Sequence, residues 1–183
     1  MNRCKWVNLN NPIYIKYHDE EWAKPSYDDN YLFEMLILES FQAGLSWECI
    51  LNKRNAFKKA YDNFNISKVA NYNEKKVNEL LKNKDIIRNK LKIKASINNA
   101  KVFIEIQKEY KSFSNHIWSF TNNKIIKNKN DIFTPTSELS DKISKDLKKR
   151  GMKFVGSTII YSYLQAIGVI NDHETTCSFY KNS

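Results

Sequence analysis

The stretch Tyr31-Leu32-Phe33-Glu34-Met35-Leu36-Ile37-Leu38-Glu39-Ser40-Phe41-Gln42-Ala43-Gly44-Leu45-Ser46-Trp47 decides how this chain is read. Apolar residues recur at helical spacing from a cap at Asp28 or Asp29 toward Phe41, which predicts a largely buried helix. Gly44 interrupts that pattern, and Ser46 offers a cap for a second helix through Trp47, Ile50 and Leu51 toward Phe57 and Tyr61. The segment from Gln42 to Trp47 is therefore a bend between two helices.

Working outward, the first thirty residues are rich in aromatics (Trp6, Tyr14, Tyr17, Trp22, Tyr27) and are broken by Pro12 and Pro25, so they read as an ordered, irregular arm. Downstream, Ser67 opens a short helix, Asn73 caps another, and Arg88 to about Tyr110 carries Ile93, Ile97, Ala100 and Ile104 at helical spacing. A Lys-rich helix runs from Ser137 or Ser140 to Arg150 and stops at Gly151. The apolar stretch Phe154 to Val169, bounded by Gly168, predicts a buried helix. The polar, Lys- and Asn-rich segment from Asn122 to Thr136 reads as a mobile surface loop. No strand-like alternation is sustained and no fixed-period repeat occurs. The expected fold class is all-α, and 183 residues fit one domain spanning 1–183.

Thirty Lys+Arg against 20 Asp+Glu give a formal net charge of +10, enough to attract a polyanion, although a lysine-rich composition alone would produce the same number. No segment reaches the ~20 consecutive apolar residues of a membrane-spanning helix, and the N-terminus lacks the apolar run of a signal peptide. A cytoplasmic protein with no membrane partner is expected. Three cysteines argue against a disulfide framework.

Cys4 and His18 lie near one end, and His173 and Cys177 lie four apart near the other. Two thiolates and two imidazoles are a common tetrahedral zinc set, and such an ion would tie down segments that otherwise tend to disorder. The same four residues also read as a packed thiol and ordinary hydrogen-bonded histidines. With four protein ligands the site would be closed, hence structural. Cys49 is expected in the core, and His116 is expected to be satisfied or exposed rather than a fifth ligand.

Glu39 sits in an otherwise apolar helical stretch, where burial is costly unless something pairs with it. The aromatic set Trp6, Tyr14, Tyr17, Trp22 and Trp47 suits the capture of an extruded base by stacking, and it equally suits a plain core. From Leu80 to Ile93 a helix ends near Asn83, Ile86-Ile87-Arg88 forms a short hairpin, and a second helix begins with basic residues facing outward. That arrangement offers N–H groups and Lys/Arg side chains to one DNA strand without reading sequence.

Taken together, Arg3-Cys4-Lys5-Trp6-Val7, Tyr14-Ile15-Lys16-Tyr17-His18-Asp19-Glu20-Glu21-Trp22, Leu32-Phe33-Glu34-Met35 with Glu39, Gln42-Ala43-Gly44-Leu45-Ser46-Trp47, Ile86-Ile87-Arg88-Asn89, Lys148 to Gly156, and Asn171-Asp172-His173 with Cys177 resemble the DNA-3-methyladenine glycosylase I family. The resemblance runs in order from residue 3 to about residue 180. It implies a helix-hairpin-helix glycosylase fold with one structural zinc at the joined termini, held by Cys4, His18, His173 and Cys177. It places Glu39 against the flipped base, Tyr17 and Trp47 as its stacking partners, Trp6 and Tyr14 as the surrounding wall, and Ser162 in the lining. Gly44 and Leu45 match the bend that enters the gap left by the extruded nucleotide, and Ile87, Arg88 and Lys90 belong to the strand-contacting hairpin. Where many family members have Gly before the hairpin, this chain has Asp85.

The activity so implied is monofunctional hydrolysis of the N-glycosidic bond of 3-methyladenine in alkylated double-stranded DNA, with the chain acting as a monomer without an obligatory protein partner. Two other classes compete. A non-catalytic zinc-stapled DNA-binding domain would share the charge, the metal and the hairpin but would have no use for Glu39. An AP lyase would need a lysine nucleophile among the pocket residues, and the matched pocket motifs hold none.

Overall fold

The computed structural model describes residues 1–127 and 134–180. Among them the chain forms α1 (Pro12–Glu20), α2 (Asp29–Gln42), α3 (Trp47–Ala60), a 3-10 turn at Asp62–Phe64, α4 (Ile66–Ala70), α5 (Glu74–Lys82), α6 (Lys90–Tyr110), α7 (Phe113–Ser119), α8 (Glu138–Lys149) and α9 (Ser157–Ala166). Two-residue strands β1 (Ile126–Lys127) and β2 (Ile170–Asn171) pair in parallel, a small departure from the all-α expectation. Such a short pairing leaves no period-2 pattern to read. The expected surface loop from Asn122 to Thr136 falls partly on residues 128–133, outside the described residues.

Helix starts follow side-chain caps. Asp28, Ser46, Asn73, Asn89 and Ser137 each accept a backbone N–H from the first turn that follows, as expected of short acceptors at that position. Two expectations require correction. The arm is not irregular throughout: Pro12 begins α1 instead of breaking it, because the first helical position needs no N–H and Asn11 caps the Ile13 and Tyr14 amides. The short helix α4 is capped by Asn65, two residues before Ser67.

Helix α2 is buried without interruption from Leu32 to Phe41, so no solvent face exists and the helix forms the axis of the core. Leu32, Phe33, Leu36, Ile37 and Phe41 are fully buried, each worth about 1.5–3 kcal/mol of transfer free energy. Around it pack α3, α6, α7 and α9. A second, smaller apolar cluster joins Cys4, Val7, Tyr17, Trp22, Ala23, Leu51 and Cys177. It is where the two terminal segments meet.

Those segments are fastened to the helical core by specific contacts. Arg54 on α3 donates from Nε to Glu34 on α2 and from Nη1 to Glu21 after α1, each at 2.6 Å. Ala23 and Ser26 donate backbone N–H groups to the carbonyls of Gln165 and Ile167. Gly168 makes this docking possible: at φ +77° it lies so close that an added Cβ would fall 2.2 Å from the carbonyl carbon of Lys24. No helix among the described residues is long and apolar enough to cross a membrane.

Candidate active site and metal cluster

The termini place four buried ligand atoms together. Those of Cys4, His18, His173 and Cys177 all lie within 4.8 Å of one another. Cys4 Sγ is 3.4 Å from His173 Nδ1, while Cys177 Sγ is 3.5 Å from His173 Nδ1 and 3.6 Å from His18 Nε2. A tetrahedral ion with zinc–sulfur bonds of about 2.3 Å and zinc–nitrogen bonds of about 2.0–2.1 Å requires sulfur–nitrogen edges of about 3.6 Å. The donor set therefore fits such an ion. His18 turns its other nitrogen, Nδ1, to Asp19 at 2.8 Å, and Arg3 holds Asp19 in turn at 2.7 Å. A carboxylate behind a histidine is the usual way to fix the ring nitrogen that faces a metal. Burial pushes the Cys4 thiol up to about 12 and His173 down to about 4. Without a cation, burial thus favours the neutral thiol and imidazole at neutral pH, and a dication is the partner that would draw a thiol proton off.

Beside this cluster lies a cavity of about 290 Å³ lined by Trp6, Tyr14, Tyr17, Trp22, Glu39, Gln42, Trp47, Ser162, Gln165 and Asp172. It is at the small end of ligand-pocket sizes and suits one compact ring system. All six residues expected at a base pocket, Trp6, Tyr14, Tyr17, Glu39, Trp47 and Ser162, line it. Trp22 joins the aromatic wall, with its ring 4.7 Å from Trp6. Gln42, Gln165 and Asp172 were not anticipated. Helical spacing could have supplied the first two, since Gln42 is three residues after Glu39 on α2 and Gln165 three after Ser162 on α9.

The cavity is unusual in its unmet polarity. Among the described residues, six buried side-chain atoms make no hydrogen bond to another protein group, and four of them line this one cavity: Glu39 Oε2, Gln42 Oε1, Trp47 Nε1 and Asp172 Oδ1. The other two are ring nitrogens of His116, whose Nε2 lies 2.9 Å from Asp146. Four such groups converging on one ring-walled cavity give it polar edges that a ligand with complementary donors and acceptors can meet. Burial alone drives the Glu39 carboxyl well above its usual range, favouring the protonated form. Asp172 is oriented by Tyr161 Oη at 2.7 Å and Gln165 Nε2 at 2.6 Å, both donating to its other oxygen.

Tyr17 and Trp47 contact each other, with ring centroids 5.3 Å apart and planes tilted by 52°, so no third ring fits between them. They form one continuous aromatic surface.

At the bend between α2 and α3, Gly44 adopts φ +79° and Leu45 is 41% exposed. Arg88 and Lys90 are exposed and Ile87 is half-buried in the turn joining α5 to α6. Asp85 is not among the positive-φ residues, so the turn does not require glycine there. Lys92 contradicts the expectation that the basic residues opening this helix all face outward: it is buried, with Nζ donating to the carbonyls of Phe41 and Ala43. Cys49 is half-buried in the first turn of α3 rather than in the core, its N–H given to Ser46. His116 is buried at α7, remote in sequence from the four clustered ligands.

Residues 6–181 match the methyladenine glycosylase family. The chain is 44% identical over 184 residues to DNA-3-methyladenine glycosylase 1 of Escherichia coli (strain K12), covering 98% of this chain and 97% of that protein. It is 40% identical over 178 residues to DNA-3-methyladenine glycosylase of Haemophilus influenzae (strain ATCC 51907 / DSM 11121 / KW20 / Rd), covering 96% of each. Its fold superposes with a TM-score of 0.93 on a tyrosine-to-phenylalanine variant of 3-methyladenine DNA glycosylase I solved in complex with 3-methyladenine, at 33% identity and 98% coverage of both chains.

Proposed function

The chain belongs to the methyladenine glycosylase family, and from that premise we propose that the aromatic cavity around Glu39 receives 3-methyladenine extruded from alkylated DNA. The reaction is hydrolysis of the N-glycosidic bond, releasing the free base and leaving an abasic site. One observation supports this use of the cavity above the rest: three side-chain oxygens and one indole N–H, all buried and none bonded to another protein group, face a space walled by aromatic rings. A flat base with polar edges supplies what each side lacks.

The chemistry follows from the substrate's charge. Methylation at N3 makes the adenine cationic, so it leaves as a neutral base and the bond is weak before any group acts on it. Strong acid catalysis is not required. Burial favours the protonated form of Glu39, and a cationic base entering the cavity lowers the cost of ionising it, the proton passing to solvent. The resulting carboxylate stabilises positive charge on base and sugar as the bond stretches, while Trp47 Nε1, Gln42 and Asp172 hold the base edge. As the bond from the base to the sugar C1′ breaks and the base leaves with the bonding pair, water adds at C1′ and gives its own proton to solvent. Unmodified adenine brings no charge to offset the ionisation of Glu39, and it stays paired and stacked at a cost of a few kcal/mol to extrude.

The DNA-facing elements in this proposal are the bend at Gly44 and Leu45, with Leu45 entering the vacated space, and a helix-hairpin-helix formed by α5, the turn through Ile87 and Arg88, and α6 beginning at Lys90. The metal cluster is proposed to hold one zinc ion on Cys4, His18, His173 and Cys177. With every position taken by protein it supplies no reactive water; it ties the termini together beside the cavity. A lyase reading has no support, because none of the residues lining the cavity is a lysine. A DNA-binding module without catalysis leaves the buried, unpaired Glu39 without a purpose.

Base release from alkylated duplex DNA, with products separated chromatographically, tests the reading. Wild-type protein should liberate 3-methyladenine and not 7-methylguanine, and Glu39→Ala should be slowed about 100-fold, which corresponds to ~2.7 kcal/mol of transition-state stabilisation. Undiminished release by Glu39→Ala would remove Glu39 from the mechanism.

A further inference from the structure

Lys92 is the third residue of α6, just past the turn carrying Ile87 and Arg88, yet its side chain runs inward to the end of α2. Its Nζ lies 2.8 Å from the Phe41 carbonyl and 2.5 Å from the Ala43 carbonyl. Helix α2 ends at Gln42, and its C-cap Ala43 makes no capping N–H bond, so these carbonyls belong to the group a helix end leaves without partners. A cation there also meets the negative end of the helix dipole. Leu45 N–H donates to Gln42 O, closing the remaining turn of the bend. The backbone from Phe41 to Leu45 is thus fixed at two points by one ammonium from another element.

The position of that backbone has two consequences. Glu39 and Gln42, which line the cavity, lie on the last turn of α2, and Gly44 and Leu45 follow immediately at the surface. Resting on the reading of the cavity as the site of base excision, we propose that Lys92 is a positioning residue that couples the strand-gripping turn of α5–α6 to the bend that extrudes the nucleotide. Its ammonium transmits the placement of the DNA backbone at Arg88 and Lys90 to the depth at which Leu45 enters the duplex. Ordinary capping of α2 would steady the fold. Coupling makes a narrower demand: it matters when a base must be taken out of a helix, and it does not matter when the base is already free.

The test compares Lys92→Met, which keeps the length and removes the donors, with Lys92→Arg, which restores donors and charge. Each is assayed for release of 3-methyladenine from duplex and from single-stranded alkylated oligonucleotides, and for binding of free 3-methyladenine by quenching of tryptophan fluorescence. Lys92→Met is expected to lower kcat/KM on duplex at least tenfold, to lower it less than threefold on the single strand, and to leave the Kd for the free base within twofold of wild type; Lys92→Arg recovers most of the duplex activity. Equal losses on all three readouts would reduce Lys92 to a structural cap, and no loss on duplex would remove it from extrusion. Should Lys92→Met fail to fold, Lys92→Gln, which removes the charge and leaves one shorter neutral donor, is read in its place, with a smaller loss expected that is again confined to duplex. Absence of base release by the wild type would instead strike the excision reading itself, independently of either variant.

Discussion

The cavity has two walls, and they are held in place by different means. Glu39, Gln42, Trp47, Ser162 and Gln165 stand on α2, α3 and α9, whose apolar faces meet in a continuous core with many fully buried side chains. Trp6, Tyr14, Tyr17, Trp22 and Asp172 come from the terminal segments, which share a cluster of only seven buried residues. A cluster that small cannot fix several large rings by apolar burial alone. The terminal wall therefore depends on point fasteners: the Cys4, His18, His173 and Cys177 donor set, the Arg54 bridge to Glu21, and the close docking of Lys24 and Pro25 over Gly168. The helical wall is set by the packing of the core, whereas the aromatic surface of the terminal wall is set by these few contacts.

The largest effect should come from the donor set. Cys177→Ala is expected to lower stability by at least about 3 kcal/mol, on the order of 6–12 °C in Tm for a chain of this size, and to abolish stoichiometric zinc. Because the core stays intact, far-UV circular dichroism should retain its helical signal at 25 °C while base release falls. Unchanged metal content together with an unchanged Tm would show that the termini are joined by packing alone.

A smaller effect should follow from Gly168→Ala. The new Cβ would be forced toward backbone atoms of Lys24 and Pro25, and a non-glycine residue would carry left-handed backbone strain. About 2–3 kcal/mol of destabilisation is expected in urea denaturation, since the close neighbours are backbone and can move only as a segment. The arm bearing Trp22 would shift with them, so activity should fall more than it does in a core variant of equal stability. Equal activity at matched stability would mean that the terminal wall is not placed by this docking.

The two walls also differed in how far sequence could describe them. The helical wall was legible because caps such as Asp28 and Ser46, and the break at Gly44, mark boundaries by local chemistry. Its polar lining was only half visible: Glu39 stood out as a charge on an apolar face, whereas Gln42 and Gln165 are unremarkable until the helices are docked. On the terminal side, the family resemblance gathered Cys4, His18, His173 and Cys177, of which Cys4 and His173 stand 169 positions apart in sequence, which spacing alone left open. The helical start at Pro12 was obscured because the same residue opens helices and breaks them, and only its neighbour Asn11 tells which. Lys92 was misread for a general reason. A lysine in a basic run is assigned to solvent by composition, and only the orphan carbonyls of a distant helix end show otherwise.

The smallest effect isolates the most unusual group of the helical wall. Glu39 is buried with its pKa raised by desolvation, so the folded state keeps a proton that the unfolded chain releases near the ordinary glutamate value. Below that value both states are protonated and burial carries no ionisation penalty. As pH rises past it, the unfolded chain ionises first, and stability declines by up to about 1.4 kcal/mol per pH unit until the folded carboxyl also titrates. Glu39→Gln removes this dependence while keeping the shape. Its stability relative to wild type should therefore grow between pH 5 and pH 7, by no more than about 1.4 kcal/mol per pH unit, measured by urea denaturation at each pH. The sign is opposite to that of a salt-bridged carboxylate, which gains stability over the same range. A flat difference would mean that Glu39 is already ionised and paired in the free protein, and the helical wall would then hold its charge ready before any base arrives instead of acquiring it with the cationic base.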